Sequence, residues 1–341
     1  MKTRKVVIVS PALADANNGN WQTARRWRSL LEKSTSHHRY SVRIVRNWPD
    51  GPLALQDEVM LALHARRSAA SVQAWSQARG KQGLGVVLTG TDLYQDLAVD
   101  SIVAQSLALA QCLVVLQDQA PRMLPPQFQA KTQVILQSVA ARQPLGKTSH
   151  HLRAVMVGHL RSEKDPLTLM AAARLLAHAP DILIDHIGAP LDPTLGQAAQ
   201  ATALACPHYR WLGAQPHNLT LRRIQRAHVL VHTSRLEGGA HVVMEAVRSG
   251  TPVLASNIDG NIGMLGLDYE GYFEAGDAPG LAALLRQCRA DLVTPLIDNS
   301  SLLQRLQHQS AKRAPLFAAE REQAALQALV DTLWTPLNAS I

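Results

Sequence analysis

The 341 residues, 47% hydrophobic and 4% aromatic, exceed one ordinary core and suit two domains of roughly 150 residues each, in a composition that disfavours disorder. The formal net charge of +8 admits nucleic acid, an anionic membrane surface or small anionic ligands as partners. Its basic residues fall in short clusters (Arg25, Arg26 and Arg28; Arg66 and Arg67; Arg222, Arg223 and Arg226) without a basic tail or RNA-binding aromatics, which argues against nucleic acid. Cys112, Cys206 and Cys288 are isolated and form no CxxC, so they indicate neither a disulfide framework nor a structural zinc site and fit a reducing compartment.

Taken in chain order, Met1–Lys5 leads into the apolar run Val6–Val9, a strand length without the longer core and cleavage site of a signal peptide. No stretch approaches the ~20 apolar residues of a membrane span, so a cytoplasmic location without stable membrane insertion is expected. Strands are predicted at Val6–Ser10, Val42–Val45, Val59–Leu63, Val86–Thr89, Leu113–Leu116 and Val134–Leu136. Helical segments lie between them, and such alternation builds a parallel sheet with crossover helices. Ser138–His150 carries Pro144, Gly146 and Lys147 with little apolar content and reads as a linker.

A second series follows at Ala154–Val157, Ile182–Ile187, Tyr209–Leu212, Val229–His232 and Pro252–Ala255, separated by helices such as Leu167–Ala177 and His241–Arg248. The expected fold class is α/β, with two Rossmann-like doubly wound domains over residues 1–148 and 149–312. Arg313–Trp334 reads as one long amphipathic helix with no strand after it, so residues 313–341 are expected to cross back and brace the first domain. Open α/β sheets bind ligands at the carboxyl ends of their strands, and two such domains facing each other would enclose an active-site cleft.

The densest signal is Ser234-Arg235-Leu236-Glu237-Gly238-Gly239-Ala240-His241-Val242-Val243-Met244-Glu245-Ala246, directly after the strand Val229–His232. It is a strand, a glycine turn and a helix start. Gly238 and Gly239 let backbone amides approach a ligand, and the helix directs its leading N–H groups and positive dipole end at an anion, of which a diphosphate is the natural case. Glu237 and Glu245 are spaced to serve different parts of one ligand, a sugar hydroxyl and a ribose diol. The plainer reading makes Glu237 a helix cap and Glu245 a solvated residue.

This pattern resembles glycosyltransferase family 4, of GT-B fold, whose hallmark is two glutamates separated by seven residues at such a junction. The resemblance implies that Glu237 contacts the donor sugar, that Gly238, Gly239, Ala240 and His241 supply backbone contacts, and that Glu245 binds the ribose. Upstream, Val157-Gly158-His159-Leu160-Arg161-Ser162-Glu163-Lys164-Asp165-Pro166 occupies the position of the family's Val-Gly-Arg-Leu and following lysine. Lys164 falls on that lysine and Gly158 on the glycine, while His159 replaces the arginine, with Arg161 as its possible substitute. Cations suit this place because the departing nucleoside diphosphate gains charge as the glycosidic bond breaks; Glu237, Lys164 and Arg161 are the expected catalytic set. The plainer reading makes Arg161 and Lys164 an exposed helix start. Tyr209-Arg210-Trp211-Leu212-Gly213 continues the pattern, with Trp211 read as core packing. The family needs no metal or other cofactor.

In the first half, Asn18, Gly19, Asn20 and Thr23 form a loop entering a helix, where Asn20 can cap it and the polar groups can meet an acceptor, or serve only as loop and cap. Arg66 and Arg67 suit a phosphorylated acceptor, and Thr89, Thr91 and Asp92 close a strand where sugar or acceptor would lie, with a structural role open for each. These segments, together with Asp185–Ala189 and Ala255–Gly266, resemble the selenosugar synthases of selenoneine biosynthesis. That resemblance implies UDP-N-acetylglucosamine or UDP-glucose as donor, selenophosphate as the anionic acceptor and a 1-seleno sugar as product. Two other readings stay open: an ordinary sugar or lipid acceptor, with Trp21, Trp27 and the nearby arginines against a membrane, and a non-catalytic nucleotide-sugar-binding protein.

Overall fold

The structure, a computed structural model, describes residues 3–13, 19–34, 38–97, 100–293 and 301–335. The chain divides into two compact units, Met1–Ser138 with Ala319–Ile341, and Val139–Ala318. The first contains strands β1 (Thr3–Val9), β2 (Arg39–Val45), β3 (Val59–Leu63), β4 (Leu84–Val87), β5 (Cys112–Val115) and β6 (Thr132–Val134), with helices α1 (Gly19–Glu32), α2 (Ala69–Arg79), α3 (Ser101–Leu109) and α4 (Pro126–Gln129). All six strands are parallel in the order β2-β1-β3-β4-β5-β6.

Period two sorts each strand onto two faces. Val7, Val9, Met60, Ala62, Val86 and Leu113 pack with Val72 and Trp75 of α2 and with Val103 and Leu107 of α3. Their neighbours Val6, Ile8, Leu61, Leu63, Val87 and Val114 face the other way, onto Ala24, Trp27 and Leu31 of α1. Both faces are covered, which is why β3 reads as an unbroken apolar run.

The second unit contains β7 (Leu152–Val157), α5 (Pro166–Leu175), β8 (Ile182–Ile187), α6 (Pro193–Ala205), β9 (Tyr209–Trp211), α7 (His217–Arg226), β10 (Val229–His232), α8 (His241–Arg248), β11 (Val253–Ser256), α9 (Asp259–Leu265), β12 (Tyr272–Phe273), α10 (Ala278–Val293) and α11 (Leu302–Arg313). Its parallel order is β12-β11-β10-β7-β8-β9. The chain moves outward from β7 through β8 to β9, then returns to lay β10 on the other side of β7. Strand order therefore reverses between β7 and β10, and the loops leaving their carboxyl ends part there, as ligand crevices of open α/β sheets require.

Helix α12 (Ala319–Trp334) returns to the first unit. Leu326, Leu329, Val330 and Leu333, at i, i+3, i+4 and i+7, join the α1 face of the first sheet, each burial worth about 1.5–3 kcal/mol. Gly85 makes room: a Cβ there would stand 3.0 Å from Leu333 Cδ1.

Several boundaries differ from the sequence reading. Residues 139–150, read as a linker, belong to the second unit, where the Val139 and Arg142 amides donate to the Phe317 and Arg248 carbonyls at 3.2 and 3.1 Å. Their low apolar content marks extended backbone laid on the unit's surface. The single helix expected over Arg313–Trp334 is interrupted: α11 ends at Arg313, a 3-10 turn spans Ala314–Phe317, and α12 begins at Ala319, because Pro315 cannot continue an α-helix. The two residues of β12 are too short to show periodicity.

Candidate active site

The site is built from two loops at the strand reversal of the second unit. One runs from Gly158 to Asp165 after β7, the other from Thr233 to Ala240 after β10. Besides the Lys164–Glu237 pair described below, three bonds join them among the described residues: Thr233 Oγ1 donates to the Lys164 carbonyl (2.7 Å), the Arg235 amide to the Glu163 carbonyl (2.9 Å), and Arg235 Nε to Asp165 Oδ2 (3.0 Å). Asp165 is buried with φ +42°, ahead of Pro166 at the first position of α5, and its Oδ2 also accepts from Thr168 Oγ1 (2.8 Å). Proline starts α5 without losing a needed N–H.

This arrangement brings together two residues 73 positions apart: Lys164 Nζ donates to Glu237 Oε1. His232 Nε2 stands 3.2 Å from the same oxygen. Burial works to raise the Glu237 pKa, but the Lys164 ammonium and His232 outweigh it and hold the carboxyl below the usual carboxylate range. For His232 burial prevails over Glu237 and lowers the pKa, so the ring is neutral at pH 7. An ionised carboxylate that accepts from hydroxyls and an ammonium able to hold phosphate oxygens thus share one point of the crevice.

Two glycines seat these loops by permitting backbone against backbone. A Cβ on Gly260, in α9, would overlap the Glu237 carbonyl, and one on Gly188, after β8, would overlap the Gly158 carbonyl and lie 2.9 Å from His159 Cα. Gly188→Ala is therefore expected to displace the Gly158–His159 turn and, on the resemblance to glycosyltransferase family 4, to cut turnover of a UDP-sugar by ~10²-fold, as misplacements near 1 Å do. A coupled assay of UDP release reads this, and an unchanged rate would show that the turn does not position the ligand. Neither Gly238 nor Gly239 has a positive φ, so what glycine supplies there is the absence of a side chain.

Helix α8 starts at His241, with Ala240 as N-cap and no side-chain cap bond. Glu245 is in its second turn, and His217 Nε2, at the start of α7, is 2.8 Å from Glu245 Oε1. Burial raises the Glu245 pKa, opposed by His217 and Arg142. His159 is exposed, and its Nδ1 accepts the Ala189 amide at 3.0 Å, which leaves the proton of the neutral ring on Nε2. Burial and then Arg161 and Lys164 lower its pKa. His159 thus presents an uncharged donor where an arginine was the reference. Arg161 is exposed, 4.0 Å from Glu163 Oε1, and is not drawn into the Lys164–Glu237 pair.

In the first unit the strand order reverses between β1 and β3. Asn18 lies outside the described residues. Gly19 begins α1, so Asn20 is inside the helix and does not cap it. Thr23 is buried, donating to the Gly19 carbonyl (2.9 Å) and accepting from Gln137 Nε2 (2.7 Å). Asp92 is fully buried, its carboxylate accepting the amides of Ala65, Thr89 and Gly90 at 2.8–3.0 Å. It anchors the loops after β3 and β4 and has little capacity left for a ligand. Arg66 is paired with Asp100 (2.7 Å) and Asp96 (3.5 Å), which neutralise it. Thr89 Oγ1 is 3.4 Å from Asp92 Oδ1, and Thr91 Oγ1 is 3.1 Å from His64 Nε2. Trp27 is fully buried, with Nε1 donating to Glu322 Oε1 (2.7 Å), so it faces no membrane.

Sequence reasoning gave no site role to His64, His217, His232, Asp165 or Arg235, of which His232 was weighed only as a metal ligand and set aside. His64, buried with φ +71° at the carboxyl end of β3, is a strained non-glycine residue of the kind found at functional positions. Its only signal was its place at a strand end. Among the described residues no helix is long and apolar enough to cross a membrane.

Residues 139–291 match the family model of glycosyl transferases group 1. The match lies within the second unit and contains Lys164, Glu237 and Glu245. Solved structures share the whole fold. Sucrose-phosphate synthase from Thermosynechococcus elongatus superposes with a TM-score of 0.74 at 17% identity, over 97% of this chain and 99% of that chain. Anabaena Alr3699/HepE in complex with UDP-glucose gives 0.68 at 14% identity, over 96% and 99%. S. aureus TarM, in complex with fondaparinux, alpha-GlcNAc-glycerol and UDP, gives 0.62 at 13% identity over 81% of this chain, which spans 55% of the TarM chain. The chain thus has the α/β fold of GT-B glycosyltransferases, two parallel six-stranded sheets with helices on their faces.

Proposed function

We propose that this protein is a glycosyltransferase that moves a sugar from a UDP-sugar, UDP-N-acetylglucosamine or UDP-glucose, to selenophosphate. The observation that carries the donor half is the Lys164–Glu237 pair at the β7/β10 reversal, beside the start of α8, in the segment matched by the family model. Glu237 accepts from sugar hydroxyls, Lys164 and the leading amides of α8 neutralise the diphosphate as the C–O bond breaks, and Glu245 with His217 takes the ribose. UDP in the TarM structure and UDP-glucose in the Alr3699/HepE structure support a uridine donor.

The acceptor half rests on the selenosugar synthase resemblance. A hydroxyl must lose a proton as it attacks, whereas selenophosphate is already anionic and its selenium a soft nucleophile. Selenium forms the new bond to the anomeric carbon, and the bond from that carbon to the UDP oxygen breaks, releasing UDP; water then cleaves the P–Se bond, giving phosphate and the 1-seleno sugar. Holding two anions together then supplies most of the catalysis. Arg67, exposed and without an ion pair among the described residues, suits the acceptor phosphate better than the neutralised Arg66. That neutralisation also favours the alternative of an ordinary sugar or small-molecule acceptor.

Mass spectrometry of the protein incubated with each UDP-sugar and selenophosphate, under reducing and oxygen-free conditions, separates the readings. A hexose-sized product with the selenium isotope pattern, alongside UDP, is expected. UDP released without selenium incorporation would leave a glycosyltransferase with another acceptor. Binding of UDP-sugar with no consumption by any acceptor would make this a nucleotide-sugar-binding protein.

A further inference from the structure

At the amino end of the second sheet, opposite the loops that hold Lys164 and Glu237, a recess of about 420 Å³ is lined by Arg153, Asp185, Leu219, Arg222, Arg223 and Arg226. Arg153 is the second residue of β7, and the other three arginines lie in the last turns of α7. Register explains their convergence. Arg153 pairs with Leu183, and Asp185, two residues further along β8, pairs with Arg210 of β9. The three charged side chains therefore leave the sheet on one face, and Arg223 reaches Asp185 there from α7.

Asp185, 1% exposed, accepts from Arg153 Nη1 (3.2 Å), Arg210 Nε (2.8 Å) and Arg223 Nη1 (3.3 Å). One carboxylate faces three guanidiniums, and Arg222 and Arg226 make no ion pair among the described residues. The C-terminal dipole of α7 favours cations, which accounts for basic residues on the helix. It does not account for Arg153, which comes from a strand and lines the same recess, or for Arg210, a strand residue that shares Asp185 with it.

We propose that this recess binds the phosphoryl groups of a multiply charged small anion or headgroup, at a site separate from the one assigned to the UDP-sugar. Planar guanidinium forks match phosphate oxygens in pairs. The volume is that of a small-molecule pocket, and the charges converge on one recess where a nucleic-acid surface would spread them along a stripe. Asp185 holds the forks in place and limits their repulsion while the site is empty. The proposal does not depend on the reading of the reaction.

Calorimetric titration of the full chain with inorganic pyrophosphate, with UDP present throughout, tests it. Arg222 and Arg226 are exposed and make no ion pair among the described residues, so Arg222→Ser/Arg226→Ser leaves folding intact. Pyrophosphate is expected to bind the native protein and to bind the double variant about tenfold or more weakly, with UDP affinity unchanged. Sedimentation with phosphatidylinositol-phosphate vesicles distinguishes the sources. Pelleting that pyrophosphate reverses assigns a lipid headgroup, and pyrophosphate binding without pelleting assigns a soluble anion. Equal pyrophosphate affinity in both proteins, or binding by neither, would overturn the site.

Discussion

Replacing Lys164 by alanine is expected to lower UDP-sugar turnover by roughly 10²–10³-fold, the usual effect of removing one preorganised charge from a transition state. It should also destabilise the protein, because Glu237 is then buried without its ammonium, at a cost of about 3–5 kcal/mol. The two effects separate by pH. In the native protein Glu237 has a depressed pKa, so its contribution to stability is present above the unfolded-state pKa and lost as pH falls through the folded value. In Lys164→Ala only His232 still counters desolvation, so the folded pKa rises and the stability that ionised Glu237 contributes near neutral pH shrinks; native protein and variant differ most near neutral pH and converge as pH falls through the carboxylate range. Urea denaturation from pH 3 to 8, beside UDP-release kinetics, checks both. A variant that kept native turnover would remove Lys164 from the site. One that lost turnover with no change in stability or its pH dependence would show that the pair is not formed in solution. Turnover of Glu237→Ala and the double variant should fall no further than the more severe single change, since the residues act as a unit.

Replacing Glu322 by alanine is expected to destabilise the first unit by about 3–5 kcal/mol, the largest structural effect anticipated outside the site. Glu322, 1% exposed in the first turn of α12, accepts from Arg26 Nε (3.0 Å), Trp27 Nε1 (2.7 Å), and the Ser138 amide (2.7 Å) and hydroxyl (2.5 Å). Removing one carboxylate strands four donors and loosens α12 from the sheet face it covers, whereas Glu322→Gln keeps the shape and part of the acceptor capacity. Chemical denaturation followed by tryptophan fluorescence should place the alanine variant well below the glutamine variant, and a loss under about 1 kcal/mol would refute the anchoring role.

Legibility differed between the two halves. In the second, a functional motif coincides with a local structural one: the glycine turn must follow a strand and open a helix, so Glu237, Gly238 and Gly239 could be placed from neighbours in sequence. In the first, Thr89, Thr91, Asp92 and Arg66 were visible as polar residues at strand ends, but composition did not reveal that backbone amides had claimed Asp92 or that Asp96 and Asp100 had neutralised Arg66. Likewise Trp27, exposed on paper beside three arginines, is the centre of a buried bond to a residue 295 positions away.

The sequence by itself determined the class of the fold: apolar runs of strand length alternating with helical segments can bury both faces of a sheet only as a parallel α/β arrangement, and the chain writes that pattern twice. It also determined the strand–turn–helix that carries both glutamates. Only the tertiary structure decided that Lys164 pairs with Glu237, that α12 covers the α1 face of the first sheet, and that Arg153, Arg210 and Arg223 share Asp185. Periodicity and turn chemistry act between residues a few positions apart and are therefore written locally, whereas the partner of a charge is chosen by strand order and register, which only the assembled sheet possesses.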